Sequence, residues 1–271
     1  PSDAPGQRGP RLTLDRDAAR VRILLSIEWI CHTLWLAQRN EPELLQFQQE
    51  RGSTGFPHYI LSRAGIVPDR DWATVIYVLP PSLVDHLRPR CLALEPTDYF
   101  MAALGVGATA LQRLNPGARA GGLRNLAQSS RPQGQLPLAW FELAPGEGEH
   151  RQLLWAAMTL REARAYAHYT AAAVEGLEPL GLLMVTSAWQ GKADRTSDYR
   201  FFRWQDEDIA AEQSSLVGSG WLEEGGELST SGRSRRQAIE LQTDAHTNRL
   251  LAQLSDTELE QMLQELPTPS A

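Results

Sequence analysis

The stretch from Glu149 to Glu175 constrains this chain more than any other. It contains no Gly or Pro, is rich in Ala and Leu, and closes at Gly176, so it is expected to form a helix of about seven turns. Its large apolar residues, among them Leu153, Leu154, Trp155, Met158, Leu160, Tyr166 and Tyr169, spread around the helical wheel instead of forming one stripe. That pattern marks a helix covered on most of its sides. Set into the apolar rod are Arg161, Glu162, Arg164 and His168, which need partners or a ligand wherever they are buried.

A chain of 271 residues with 42% hydrophobic composition can build a sizeable core around such a helix. No apolar run approaches the roughly 20 residues of a membrane span, and Pro1 to Pro10 is polar, without the apolar core of a signal peptide, so a cytoplasmic protein that does not enter membranes is expected. Two cysteines, Cys31 and Cys91, make neither a disulfide framework nor a metal set, and a buried thiol is expected at each. The net charge of −7 is unevenly spread: residues 1–150 hold 15 acids and 15 arginines, so the whole excess falls in residues 151–271. An acidic C-terminal half repels nucleic acid and anionic membranes as a whole, although a local basic patch can override it.

In chain order, residues 1–12 have the composition of a disordered leader. A first helix is expected from about Asp15 to Gln38, with apolar residues at helical spacing and Glu28, Cys31 and His32 within it. Pro42 opens a second helix to about Arg51, and a short helical piece is expected from Tyr59 to Ala64. Residues 72–79 have the β-branched content of a strand, but the Pro80-Pro81-Ser82 that follows looks like a helix start, and a helix–helix arrangement is the reading adopted. Thr97 is a candidate N-cap for a helix from Asp98 to about Leu114. Residues 115–148, interrupted by glycines and prolines, read as a connection.

Beyond the long helix, an acidic helix from Asp206 to about Val217 is followed by Gly218-Ser219-Gly220, a short strand at Trp221-Leu222, a Glu224-Gly225-Gly226 turn and Glu227-Leu228. A helix from Ser229 or Thr230 to about Leu254 then closes the unit, which is the order of a winged helix. Ser255-Asp256-Thr257-Glu258 is a capping box for a last helix. The fold class read from this pattern is mainly α: an N-terminal helical half packed on a long central helix, and a C-terminal winged-helix-like half with a short β-wing. The boundaries are a leader at 1–12, a helical domain at 13–114, the connection at 115–148, the central helix with the winged-helix-like domain at 149–254, and a last helix and tail at 255–271.

The stretch Leu160-Arg161-Glu162, with Arg164 and His168 beyond it, resembles a mainly actinobacterial family of SalK-like, helix-turn-helix-labelled proteins. Trp204-Gln205-Asp206-Glu207, Gly220-Trp221-Leu222, Leu228-Ser229 and Gly232-Arg233 resemble the family's tail, and Gly55-Phe56, Arg63-Ala64, Tyr77 and Pro81 are weaker echoes upstream. The departures fall on polar groups. Cys31, Val78 and Ala163 stand where the family pattern has His, Asn and His, which puts in doubt any ligand or chemistry those groups carry in relatives.

At helical spacing Trp155, Glu162, Tyr166 and Tyr169 fall on one side of the long helix, with Arg161 and His168 on the neighbouring stripe. Large rings around a carboxylate, a guanidinium and an imidazole suit an orienting pocket, and a filled core of hydrogen-bonded Tyr and His is the plainer alternative. Glu28 and His32 lie four apart, on one side of the first helix. The candidate ligand-binding set is therefore Glu28, Cys31, His32, Tyr77, Trp155, Arg161, Glu162, Tyr166 and His168, with the first helix facing the long one across a gap. Adjacent positions on a helix diverge by about 100°, so Cys31 and His32 cannot pair as nucleophile and base.

Three function classes stay open. The leading one is a protein that binds a small apolar or amphipathic molecule between its halves, or serves as a noncatalytic partner or homodimer on the same scaffold. The second is a DNA-binding regulator, for which duplex DNA is a poor partner: the acidic helix carries Asp206, Glu207, Asp208 and Glu212 and no base, leaving Arg233, Arg235 and Arg236 as the one cluster of suitable sign, which could equally neutralise Glu223, Glu224 and Glu227. The third is an enzyme using Glu162 and His168. No phosphate loop, zinc-protease or nucleophile-elbow motif is present, and no metal or cofactor is specified.

Overall fold

The computed structural model describes residues 14–52, 64–67, 77–93, 95–192 and 195–268. Helix α1 (Arg16–Asn40) starts at Asp15, whose side chain accepts the Asp17 and Ala18 amides, and a Pro at N1 opens α2 (Pro42–Glu50). Next come α3 (Pro81–Leu92) and α4 (Pro96–Leu114). The cap of α4 is Glu95 instead of Thr97, in a left-handed conformation, because Pro96 takes the first helical turn. The helical piece expected at 59–64 lies outside the described residues except for Ala64, as do the leader and residues 72–76; Tyr77 to Leu79 form a turn.

The glycine- and proline-rich stretch at 115–148 is more ordered than a bare connection, since it folds into α5 (Gly121–Ser130) and α6 (Gln135–Glu142). Their buried residues, including Leu123, Leu126, Leu136 and Trp140, are spaced to dock short helices onto the long one. The long helix is α7 (Glu149–Val174), and it packs against α1, α4, α5, α6 and α11. From Leu153 to Leu160 every residue of α7 is buried. It ends at Gly176 in a left-handed turn, where the Gly176 and Leu177 amides return to Ala173 O and Ala172 O.

The remaining helices are α8 (Pro179–Trp189), α9 (Thr196–Phe201), α10 (Asp206–Gly218), α11 (Thr230–Leu251) and α12 (Asp256–Glu265), the last with its capping box formed. The expected β-wing is not there. Among the described residues no strand forms, and the segment between α10 and α11 has one isolated antiparallel bridge, Leu222 to Leu228. The reason is local. The Trp221 and Leu222 amides are used in closing α10 on Leu216 O, so the segment is tied across by two backbone bonds, Glu223 N–H to Glu227 O and Ser229 N–H to Trp221 O, before Ser229 caps α11.

Two apolar clusters result. The larger joins α1, α3, α4, α5, α6, the buried part of α7 and α12. The smaller joins the end of α7 with α8, the α10–α11 turn and Ile239 of α11. Helix α7 therefore contributes to both: Leu153 to Leu160 enter the first, Ala171 and Ala172 the second.

Candidate functional site

Because α1 lies along α7, Glu28, Cys31 and His32 come to face Met158 and Arg161 across a cleft of about 510 Å³. Leu34 and the partly buried rings of Trp29 and Trp35 supply its apolar walls, and Phe201 of α9, which the sequence reading did not include, reaches its edge. The two groups of α1 diverge as helical geometry requires: Cys31 is buried while His32 is exposed, its ring 5.0 Å from that of Trp35. The polar centre is Arg161. Its Nε donates to Glu28 Oε2 at 3.1 Å and its Nη1 to Glu162 Oε1 at 2.9 Å. The Glu162 side chain is only 1% exposed and that of Glu28 is 54% exposed, so one partner is buried and the other sits at the mouth.

Glu162 also borders a recess on the next face of α7. With Tyr166 and Tyr169 it lines a second cleft of about 410 Å³ under the Pro132–Leu138 segment. Gly134 is required there: its φ is +92° and a Cβ would come within 2.5 Å of the Tyr166 ring. Tyr77 stacks on Tyr169 with ring centres 5.3 Å apart and donates from its hydroxyl to Leu177 O. Burial, with Glu178 nearby, raises the Tyr77 pKa above its ordinary value. Trp155 is two turns away, buried, its indole N–H bonded to Trp140 O at 2.7 Å, and it borders a different recess with Arg124 and Gln152.

His168 belongs to neither cleft. It faces α11, with Nδ1 3.2 Å from Thr243 Oγ1 and 3.8 Å from Glu240, in a network where Arg164 approaches Glu240 and Asp244 at 3.6 and 3.5 Å and Arg236 pairs with Glu240. Burial first, and then the positive charges of Arg236 and Arg164 against the opposing Glu240, lower the His168 pKa to about 4. The ring is thus neutral at pH 7. The candidate set therefore falls into separate places: Glu28, Cys31, His32 and Arg161 meet, Glu162 with Tyr166 lies behind Arg161, and Tyr77, Trp155 and His168 serve other contacts.

A further recess of about 190 Å³ lies between α1, α7 and the end of α11, walled by residues including Ile23, Ile27, Leu160 and Leu250. Glu28 and Arg161 line this recess as well, and they are the only residues it shares with the 510 Å³ cleft. Sequence reasoning missed it because its outer wall comes from α11, far along the chain. Among the described residues no group of three or more His, Cys, Asp or Glu is placed to hold a metal.

The arginines beside the α10–α11 turn are mostly engaged. Arg235 binds Glu175 at 3.0 Å and lies 3.9 Å over the Trp221 ring, and Arg236 is buried on Glu240, which leaves Arg233 as the outward member of the three. The alternative in which this cluster neutralises Glu223, Glu224 and Glu227 gives way to pairing of Arg235 with Glu175, at the C-cap of α7, and of Arg236 with Glu240 of α11, and it is Arg195 that approaches Glu227, at 3.8 Å. First-turn acids Asp206, Glu207 and Asp208 make α10 a poor surface for phosphate.

These features define a helical protein whose last third contains two helices, α10 and α11, linked by residues 219–229, with α10 packed on α8 and α11 on the long helix α7. The chain belongs to a helix-turn-helix family, whose model matches residues 32–271. No curated protein and no solved structure matches it. No single helix among the described residues is long and apolar enough to cross a membrane.

Proposed function

We propose that this protein binds a small amphipathic molecule in the cleft between α1 and α7, with Arg161 fixing its polar end. The observation that carries this reading is the cleft itself: about 510 Å³, walled largely by Trp29, Leu34, Trp35 and Met158, with one guanidinium anchored at its polar centre. Ligand sites commonly have this volume and this mix of apolar walls with a few placed polar groups. A role as a noncatalytic partner protein on the same scaffold is compatible with the cleft. The narrower kinship with SalK-like proteins, resting on Leu160-Arg161-Glu162 and His168, is part of the proposal, as is a cytoplasmic setting, supported by Cys31 and Cys91, which are buried and form no disulfide.

The family supports a second reading, sequence-specific binding of DNA. The charges of α10 and the engagement of Arg235 and Arg236 oppose it. An acid–base enzyme built on Glu162 and His168 has less support, since none of the four recesses described above is lined by both.

The test is a fluorescence titration with N-phenyl-1-naphthylamine, an uncharged probe that brightens in apolar sites. Saturable binding in the micromolar range, lost in Cys31→Phe, whose side chain would fill the cleft, is the expected result. Absence of saturable binding, or binding unchanged in the well-folded Cys31→Phe protein, would overturn the reading.

A further inference from the structure

Among the described residues, Arg161 pairs with two carboxylates of very different standing. Glu162, adjacent on α7, is 1% exposed in its side chain, so its contact with Arg161 is held out of water. Glu28 comes from α1, is 54% exposed, and can turn into water with little loss, because a solvent-exposed ion pair contributes only about 0–1 kcal/mol. Glu162 thus fixes the guanidinium in place whether or not Glu28 occupies its Nε edge. The Glu28–Arg161 pair is also the only lining shared by the 510 Å³ and 190 Å³ recesses, so it stands as the partition between them.

We propose that Glu28 is a displaceable internal counterion, and that the molecule taken by this cleft is an organic acid whose carboxylate replaces Glu28 at the Nε edge of Arg161. The inference rests on the α1–α7 cleft being the ligand site and adds the chemical class of the ligand. The exchange is close to neutral at the ion pair, since one carboxylate is traded for another and Glu28 regains hydration. Net affinity then comes from the apolar body covering Trp29, Leu34, Trp35 and Met158, each Å² of apolar surface removed from water giving about 25 cal/mol.

The experiment compares 2-naphthoate with 2-naphthamide, one body with and without the charge, as displacers of N-phenyl-1-naphthylamine from the wild-type chain, Glu28→Gln and the double variant Glu28→Gln with Arg161→Lys. Removing the internal competitor is expected to strengthen 2-naphthoate about 5-fold, the equivalent of about 1 kcal/mol, and to leave 2-naphthamide within about 2-fold. The gain disappears in the double variant, where the charge remains but the Nε–H edge is gone. An unchanged 2-naphthoate affinity in Glu28→Gln, an equal gain for the amide, or a gain that survives in the double variant would each overturn the exchange while leaving the cleft as the site. If N-phenyl-1-naphthylamine does not bind at all, the cleft reading fails and the exchange with it.

Discussion

His168 carries the clearest pH dependence in the molecule. Its pKa is about 4 in the fold against 6.5 ordinarily, so below pH 6.5 the unfolded chain takes up a proton that the folded chain refuses. Stability is therefore complete above pH 6.5 and declines as the pH falls towards 4, by up to roughly 3 kcal/mol from this group alone. Urea midpoints measured at pH 7 and pH 5 should differ in that direction, and His168→Gln should flatten the slope; a variant as pH-sensitive as wild type would contradict the assignment. Glu162 answers to a different force. Glu162→Ala removes the buried half of its pair with Arg161, a loss expected to be about 2–3 kcal/mol, below the 3–5 kcal/mol of a fully buried pair because the Arg161 side chain is itself 26% exposed. A urea-unfolding change under 1 kcal/mol would mean the pair behaves as an exposed one.

Among the elements, the α10–α11 turn is held by close approach of backbone to backbone. A Cβ on Gly232 would lie 2.0 Å from Trp221 O, and that carbonyl already accepts from the Ser229 amide. Gly232→Ala would force α11 away from the turn and loosen Trp221 and Ile239 in the smaller cluster, at a cost of about 2 kcal/mol or more. Thermal unfolding monitored by Trp fluorescence checks this; a melting temperature within a degree of wild type would show that the turn yields freely. The same crowding explains why the expected wing is reduced to one bridge. Residues of strand-forming type at Trp221-Leu222 are overruled by the helix end behind them and the helix start ahead of them.

For the whole molecule the decisive quantity is where the charge sits. The net charge is −7, the α10 start is acidic, and of Arg233, Arg235 and Arg236 only Arg233 points outward. Tight duplex binding needs several cations free to displace counterions, each adding close to one unit to the salt slope. The protein is therefore expected not to shift random duplex DNA at submicromolar concentration in roughly 150 mM salt. A shift under those conditions, weakening steeply as salt rises, would restore the regulator reading in place of the electrostatic argument.

Local rules within the sequence determined a good deal. Asp15, Pro42 and Ser255 begin helices because their side chains or ring satisfy a helix N-terminus, and Gly176 ends α7 because it alone accepts the left-handed turn at no steric cost. The covering of α7 was legible in apolar residues around most of its wheel, and the placing of Glu28 and His32 on one side of α1 in their spacing of four. What the sequence could not contain is which stripe of α7 receives α1 and which receives α11. That choice is made by packing between segments distant in the chain. It separates His168 from Arg161, turns Glu162 and Tyr166 to another cleft, and places Glu28 on one edge of Arg161 with Glu162 on the other. Helical periodicity sets the angle between residues of one helix, whereas only the fit of whole helices against one another decides which residues of different helices meet.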